Sequence, residues 1–173
     1  MRGSLIALSL AVASPAFTAD RIPNPQIDYP GFASQVAEVG RVRESRRVTE
    51  TEFIAMAADR GTVVLDARST ERFGQLHVKG AKHLSFPDFT EAALAAIVPN
   101  KSTRILIYCN NNFLNEPSAF ALKVAPAALN IHTMNALYAY GYKNVYELGP
   151  AIDIYGTRIP FEGRSAGQVA SRR

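Results

Sequence analysis

Cysteine is almost absent from this sequence: Cys109 is the only one among 173 residues. A lone cysteine excludes an internal disulfide, because no second thiol is present to pair with it. Histidine is also scarce, and neither His83 nor His132 has metal-ligand spacing to the other or to Cys109. We therefore expect no metal site and no bound cofactor. Repeats and low-complexity tracts are absent too, which excludes a fibrous protein.

Basic residues outnumber acidic ones by 19 to 15, and the pI is near 9.4. The basic residues are scattered and no nucleic-acid-binding motif accompanies them, so we expect a solvated surface and no nucleic-acid partner. Hydrophobic residues make up 47% of the chain, which is enough for the core of one globular domain with extensions.

The first 19 residues have the pattern of a secretory signal peptide. Arg2 supplies a positive start, residues 5–13 form a short apolar core, and residues 14–18 include small residues suited to cleavage. The apolar core is too short to cross a bilayer, so we expect an exported protein, periplasmic or secreted, with no membrane span in the mature chain. A retained N-terminal anchor is the alternative. Export would expose the unpaired thiol of Cys109 to oxidation, and a thiol kept there indicates a use for it.

Residues 20–47 form a predicted N-terminal arm, in which three prolines precede a short helix near residues 33–39. The ordered domain begins after this arm. Thr49 and Glu52 have the spacing of a capping box, which predicts a helix from this point to about Arg60.

Strands and helices alternate through the rest of the chain. The predicted strands are 62–66, 104–109 and 144–148, and the further predicted helices are 91–97 and 131–140, the latter with Asn130 as its N-cap. Alternating elements form βαβ units, whose right-handed crossovers produce a parallel sheet covered on both faces. We therefore predict a single α/β domain over residues 48–163, with a mainly parallel central sheet, helices on both faces, and a polar tail of residues 164–173.

Cys109 directly follows the apolar run of residues 104–108, which is typical of a buried strand. Ligands bind outside the carboxyl ends of the strands in open parallel sheets, so a thiol at this position is well placed for chemistry. The alternative is a cysteine that packs as a small hydrophobic side chain.

Two further segments carry a family resemblance. Residues 66–81 contain Asp-x-Arg, then an aromatic residue and His-x-x-Gly-Ala, and they resemble the first signature of the rhodanese family. Residues 140–148 resemble the family's segment after the active-site helix, and the strand ending in Cys109 is similar to the one that presents its nucleophilic cysteine. The resemblance implies a rhodanese-like domain and a sulfurtransferase that acts through Cys109.

Three residues of the first signature are predicted to have structural roles near the site. A carboxylate at Asp66 can accept from backbone donors at the strand end, and the guanidinium of Arg68 can form a bidentate clamp. We expect His77 to tether its loop by a hydrogen bond rather than to act as a catalytic base.

The segment after Cys109 departs from the family pattern. We predict a substrate-binding loop of Asn110, Asn111, Asn112, Phe113, Leu114 and Asn115. In the family this loop is short and usually closed by an arginine, whereas here no arginine follows until Arg158 and an insertion lengthens the connection. The loop lacks a cation to stabilise a transferring phosphoryl group, so phosphatase activity is not expected. Thiosulfate, a dianion, is disfavoured for the same reason.

We therefore predict an exported rhodanese-like sulfurtransferase or sulfur carrier that forms a persulfide on Cys109. Its partners would be a small sulfur-containing donor, a thiol acceptor or a protein persulfide. Backbone donors of residues 110–115 are expected to surround the sulfur and lower the pKa of the thiol. The alternative is a catalytically inactive rhodanese-like binding module, in which Cys109 is a packed remnant and the Asn-rich loop recognises a partner or ligand.

Overall fold

The structure is a computed structural model that describes residues 24–173. The predicted signal peptide lies outside the described residues. The α-helices are α1 (Tyr29–Arg43), α2 (Glu50–Ala57), α3 (Thr70–Gln75), α4 (Glu91–Ile97), α5 (Leu129–Ala139) and α6 (Ala166–Ala170). The strands are β1 (Arg47–Val48), β2 (Thr62–Asp66), β3 (His77–Val78), β4 (Lys82–His83), β5 (Arg104–Tyr108), β6 (Phe113–Leu114), β7 (Val145–Leu148), β8 (Ile152–Asp153) and β9 (Phe161–Glu162).

The central sheet has five parallel strands in the order β1-β7-β5-β2-β4. Strand β5 lies in the middle, with Ile107 opposite Leu65 of β2 on one side and Glu147 of β7 on the other. This arrangement confirms the predicted α/β class with a mainly parallel sheet.

Helices cover both faces of this sheet, and strand β5 shows why. Ile105 and Ile107 pack in one hydrophobic cluster, which includes residues of α4 and α5. Leu106 and Tyr108 pack in the other, which includes Phe53 of α2. Side chains alternate between faces along a strand, so the apolar run of residues 105–108 is buried on both sides.

Two small sheets outside the central one were not predicted. Strands β3 and β9 pair antiparallel, and strands β6 and β8 pair in parallel. In each pair, one strand (β3 or β6) lies in a connection between strands of the central sheet. The other (β9 or β8) lies after β7 in the chain. Two-residue strands carry too little periodicity to be recognised in a sequence.

The capping box before α2 is confirmed. The Thr49 hydroxyl accepts a hydrogen bond from the Glu52 backbone at 3.3 Å, and the Thr49 backbone donates to the Glu52 carboxylate at 2.8 Å. The predicted cap of α5 is wrong, because Ala128 occupies the N-cap position and the helix already begins at Leu129. The Asn130 side chain instead donates to Asn112 Oδ1 at 3.1 Å.

The N-terminal arm contains a longer helix than the one predicted. Helix α1 has fifteen residues, and the Asp28 side chain accepts from the Gly31 backbone as its N-cap. Val39 is buried against the core cluster that includes α5. At the other end of the chain, α6 buries Val169. No helix within residues 24–173 is long and apolar enough to cross a membrane.

Candidate functional site

Cys109 lies directly after Tyr108, the last residue of the central strand β5. Its side chain is almost fully enclosed, with 1% of the residue exposed. The Cys109 backbone N–H donates to Asn112 Oδ1 at 2.9 Å, and a short 3-10 helix of residues 110–112 follows. The structure therefore places the sulfur at the carboxyl edge of the sheet, beneath the protein surface.

Backbone donors face the Cys109 sulfur from two segments. Hydrogen bonds from the backbones of Asn111, Leu129 and Asn130 favour the thiolate and lower the pKa of the thiol. Burial has the largest effect and acts in the opposite direction, and the negative charge of Glu147 adds to it, so the pKa is raised above its ordinary value. The expected fall in pKa is thus not found, because the desolvation that accompanies full burial outweighs the neutral donors.

The side chains of the three asparagines after Cys109 contact the protein itself. Asn110 Nδ2 donates to the Ala121 carbonyl at 2.8 Å, Asn111 exchanges two hydrogen bonds with the Lys123 backbone at 2.7 and 3.1 Å, and Asn112 Nδ2 donates to the Leu148 and Pro150 carbonyls at 2.8 and 3.1 Å. Asn110 and Asn111 therefore hold the insertion, residues 116–128, against the loop. Asn112 joins the loop to the end of β7.

The remaining residues of the predicted loop lead away from the sulfur. Phe113 is fully buried, with ring centroids 4.8 Å from Phe120 and 5.0 Å from Phe161. Leu114 belongs to β6, and Asn115 has a positive φ of 69° where the chain turns into the insertion. Phe113 therefore anchors the loop in the core, and Asn115 is exposed.

Asp66 and Arg68 form a buried ion pair at the carboxyl end of β2. Arg68 Nη2 lies 2.5 Å from Asp66 Oδ2, and Tyr108 Oη donates to the same carboxylate oxygen at 2.5 Å. Arg68 also donates to the carbonyls of Leu76 at 2.8 Å and Ala119 at 3.0 Å. The guanidinium thus joins β2, the loop before β3 and the insertion, and all of these partners are protein atoms.

The two histidines of this region stack on the same ring. The Phe73 ring lies 3.8 Å from the ring of His77 and 4.6 Å from that of His83, between centroids. His77 Nδ1 is 2.8 Å from the Phe73 carbonyl, and His83 Nε2 is 2.8 Å from the Arg68 carbonyl. Each ring is hydrogen-bonded to the backbone nearby. No cluster of metal-ligating side chains occurs within residues 24–173.

A pocket of about 420 Å³ lies beside Cys109 at the carboxyl edge of the sheet. Its wall is made of the segment after β2, the segment after β4, Asn110, three residues of the insertion and the first residue of α5. The lining residues are Ala67, Arg68, Ser69, Arg72, Ser85, Phe86, Pro87, Asn110, Ala121, Leu122, Lys123 and Leu129. Sequence reasoning missed Arg72, Lys123 and Leu129, because no motif links these residues and only the fold brings them together.

Among solved structures, the BH2092 protein of Bacillus halodurans matches at 18% identity and a TM-score of 0.51, over 80% of this chain and 90% of that one. A rhodanese with anions from E. coli matches at 20% identity and a TM-score of 0.40, over 59% of this chain and 98% of that one. The Alr3790 protein of Anabaena sp. matches at 18% identity and a TM-score of 0.46, over 72% and 87%. The likeness to the BH2092 protein concerns the fold alone.

No curated protein matches the sequence significantly. The model of the rhodanese-like domain matches residues 49–149. This range includes four of the five strands of the central sheet, β2, β4, β5 and β7, and the whole of the site around Cys109. Since it covers more than half of the sequence, the chain belongs to the rhodanese-like domain family.

Proposed function

We propose that this protein is a sulfur carrier or sulfurtransferase that holds a persulfide on Cys109. The observation that carries the proposal is the position of the sulfur, at the end of the central strand and facing the backbone N–H groups of Asn111, Leu129 and Asn130. Donors of this kind stabilise a negatively charged sulfur without a charged side chain. Two of them belong to the first turn of α5, where the helix dipole also favours negative charge.

The transfer step is a thiol–disulfide type of exchange. The Cys109 thiolate attacks the outer sulfur of a donor persulfide, and the bond between the two donor sulfurs breaks. The electron pair of that bond leaves with the inner sulfur, which becomes a thiolate and takes up the proton that Cys109 released. The exchange needs no oxidant, and a thiol acceptor can remove the sulfur from Cys109 by the same step.

The enclosed position of Cys109 determines how this chemistry depends on pH and on access. Because burial raises the pKa of the thiol, the neutral form dominates near pH 7 and the reaction accelerates as the pH rises. A donor must also displace part of the wall around the sulfur, which is 1% exposed. We infer that reaction with donors is slow in the closed form. Export to the periplasm or the exterior belongs to the same proposal and is supported by the pattern of residues 1–19.

A second candidate function is a catalytically inactive binding module. The observation that favours it is the same enclosure of Cys109, together with the three asparagine side chains, which all contact the protein itself. In this candidate Cys109 is a packed remnant. Partner recognition would then use the outer surface of the insertion rather than the asparagines.

Intact-mass measurement after incubation with sulfane-sulfur donors distinguishes the two candidates. The carrier predicts a gain of one sulfur atom that a reducing thiol removes and that Cys109→Ser abolishes. The serine variant is a matched control, because it keeps the size and the hydrogen-bonding capacity of the side chain. Absence of any adduct at pH 9, where the thiolate is more populated, would favour the binding module.

A further inference from the structure

The pocket beside Cys109 combines an apolar wall with an exposed apolar rim. Phe86, Pro87 and Leu129 form part of the wall. Leu122 lies at the rim and exposes 62% of its surface. A molecule with an apolar body would cover Leu122 and gain the free energy of that burial.

The charge of the pocket is positive. Arg72 and Lys123 line it together with Arg68, and no acidic residue is among the lining residues. The charge of Arg68 is balanced by Asp66 in the core. Within residues 24–173, neither Arg72 nor Lys123 takes part in an ion pair. Two uncompensated cations at one pocket favour an anionic occupant.

The pocket and the Cys109 sulfur share two wall residues. Asn110 lines the pocket and is the next residue after Cys109. Leu129 also lines the pocket, and its backbone donates toward the sulfur. A small shift of these residues would therefore connect a bound molecule with the thiol.

We propose that this pocket is the donor site and that it takes a small organic anion with an apolar body. The donor class is an organic persulfide that bears one carboxylate or sulfonate group. This inference rests on the proposed function, since it identifies the molecule whose outer sulfur passes to Cys109 in the exchange described above. An inorganic dianion fits less well, because it would leave Leu122 and the apolar wall uncovered.

Binding is tested without sulfur chemistry by using the Cys109→Ser protein. Isothermal titration with benzenesulfonate, which has an apolar ring and one negative charge, should show one site, and sulfate should show none. Lys123→Gln should weaken the affinity roughly fivefold, as expected for the loss of one exposed charge contact. Lys123→Arg should restore it, because the charge returns.

The control variant is Arg60→Gln, which removes one positive charge from the opposite edge of the sheet, just before β2 begins. It should leave the affinity unchanged. Equal binding of sulfate and benzenesulfonate, or an equal effect of Lys123→Gln and Arg60→Gln, would overturn the proposal. Circular dichroism of each variant verifies that it is folded.

The proposed function and this inference fail in different ways. If benzenesulfonate binds but wild type forms no persulfide on Cys109, the proposed function is wrong and the pocket is only an anion-binding site. If a persulfide forms on Cys109 but neither benzenesulfonate nor Lys123→Gln slows its formation, the proposed function stands and this pocket is not the donor site. Both experiments use the full folded chain.

Discussion

Arg43 in helix α1 lies 2.6 Å from the carboxylate of Glu147 in strand β7, across the junction of the N-terminal arm and the central sheet. Glu147 is 1% exposed, and Arg47 approaches the same oxygen at 3.5 Å. Burial raises the pKa of Glu147, and the two arginines oppose this by favouring the carboxylate. Glu147 is opposite Ile107 in the sheet, two residues before Cys109, and its negative charge disfavours the Cys109 thiolate.

The charge of Glu147 should be visible in the titration of Cys109. A negative charge nearby disfavours the thiolate, so Glu147→Gln should lower the pKa of the thiol. Arg43→Gln should raise it, because the carboxylate then loses its main counter-charge. The measurement is the rate of alkylation by iodoacetamide against pH. Glu91→Gln, at a surface ion pair with Lys101, is the control and should leave the midpoint in place. Equal midpoints in all proteins would contradict the prediction.

Protonation of Cys109 should also appear in the stability of the fold. The pKa of the thiol is raised in the folded state above its ordinary value of 9.0, so the folded state binds the proton more tightly than the unfolded state. This contribution is fully present below about pH 9 and is lost as the pH rises through the folded pKa. The unfolding temperature of wild type should therefore decline more steeply above about pH 9 than that of Cys109→Ser. Parallel curves would show that the thiol is not desolvated.

Loss of the Asp66 carboxylate should destabilise the fold strongly. Asp66→Ala leaves the buried guanidinium of Arg68 without its counter-charge and the Tyr108 hydroxyl without its acceptor. Breaking a buried pair on one side costs roughly 3–5 kcal/mol of unfolding free energy. Urea denaturation measures this value. Asp59→Ala breaks an exposed pair with Arg104 and should cost about 1 kcal/mol or less. Similar midpoints for the two variants would mean that Asp66 is not a structural clamp.

The insertion should loosen when Asn111 is shortened. Asn111→Ala removes both hydrogen bonds to the Lys123 backbone, at roughly 1 kcal/mol each. Trypsin should then cleave after Lys123 several-fold faster, because local opening limits cleavage at this position. Asn100→Ala, in an exposed turn far from the insertion, serves as control. Unchanged cleavage would show that other contacts hold the insertion.

Export predicts a shortened chain in the native host. If residues 1–19 act as a signal peptide, N-terminal sequencing of the recovered protein should find a start between Phe17 and Asp20. The physical reason is the charged start followed by a short apolar core, which the export machinery recognises. Protein that still begins at Met1 would contradict the prediction.

Local sequence signals predicted the elements that form over short distances. The capping box at Thr49 depends on contacts three residues apart, and β5 has four consecutive buried apolar residues, 105–108. The parallel sheet followed from the alternation of such elements. The prediction that Asn130 caps α5 was wrong, because the partner of the Asn130 side chain is distant in the sequence. Its side chain bonds Asn112, 18 residues away, and a local pattern contains no information about that partner.

The sequence by itself determined the family, the sheet and the placement of Cys109 after the central strand, because each depends on residue order and side-chain periodicity. Only the tertiary structure decided the state of the thiol. Its pKa reflects burial, the backbone of α5 and the charge of Glu147, which lies 38 residues away in the chain and one strand away in space. The roles of the asparagines were decided in the same way, since a side-chain amide bonds whichever donor or acceptor the fold brings to it.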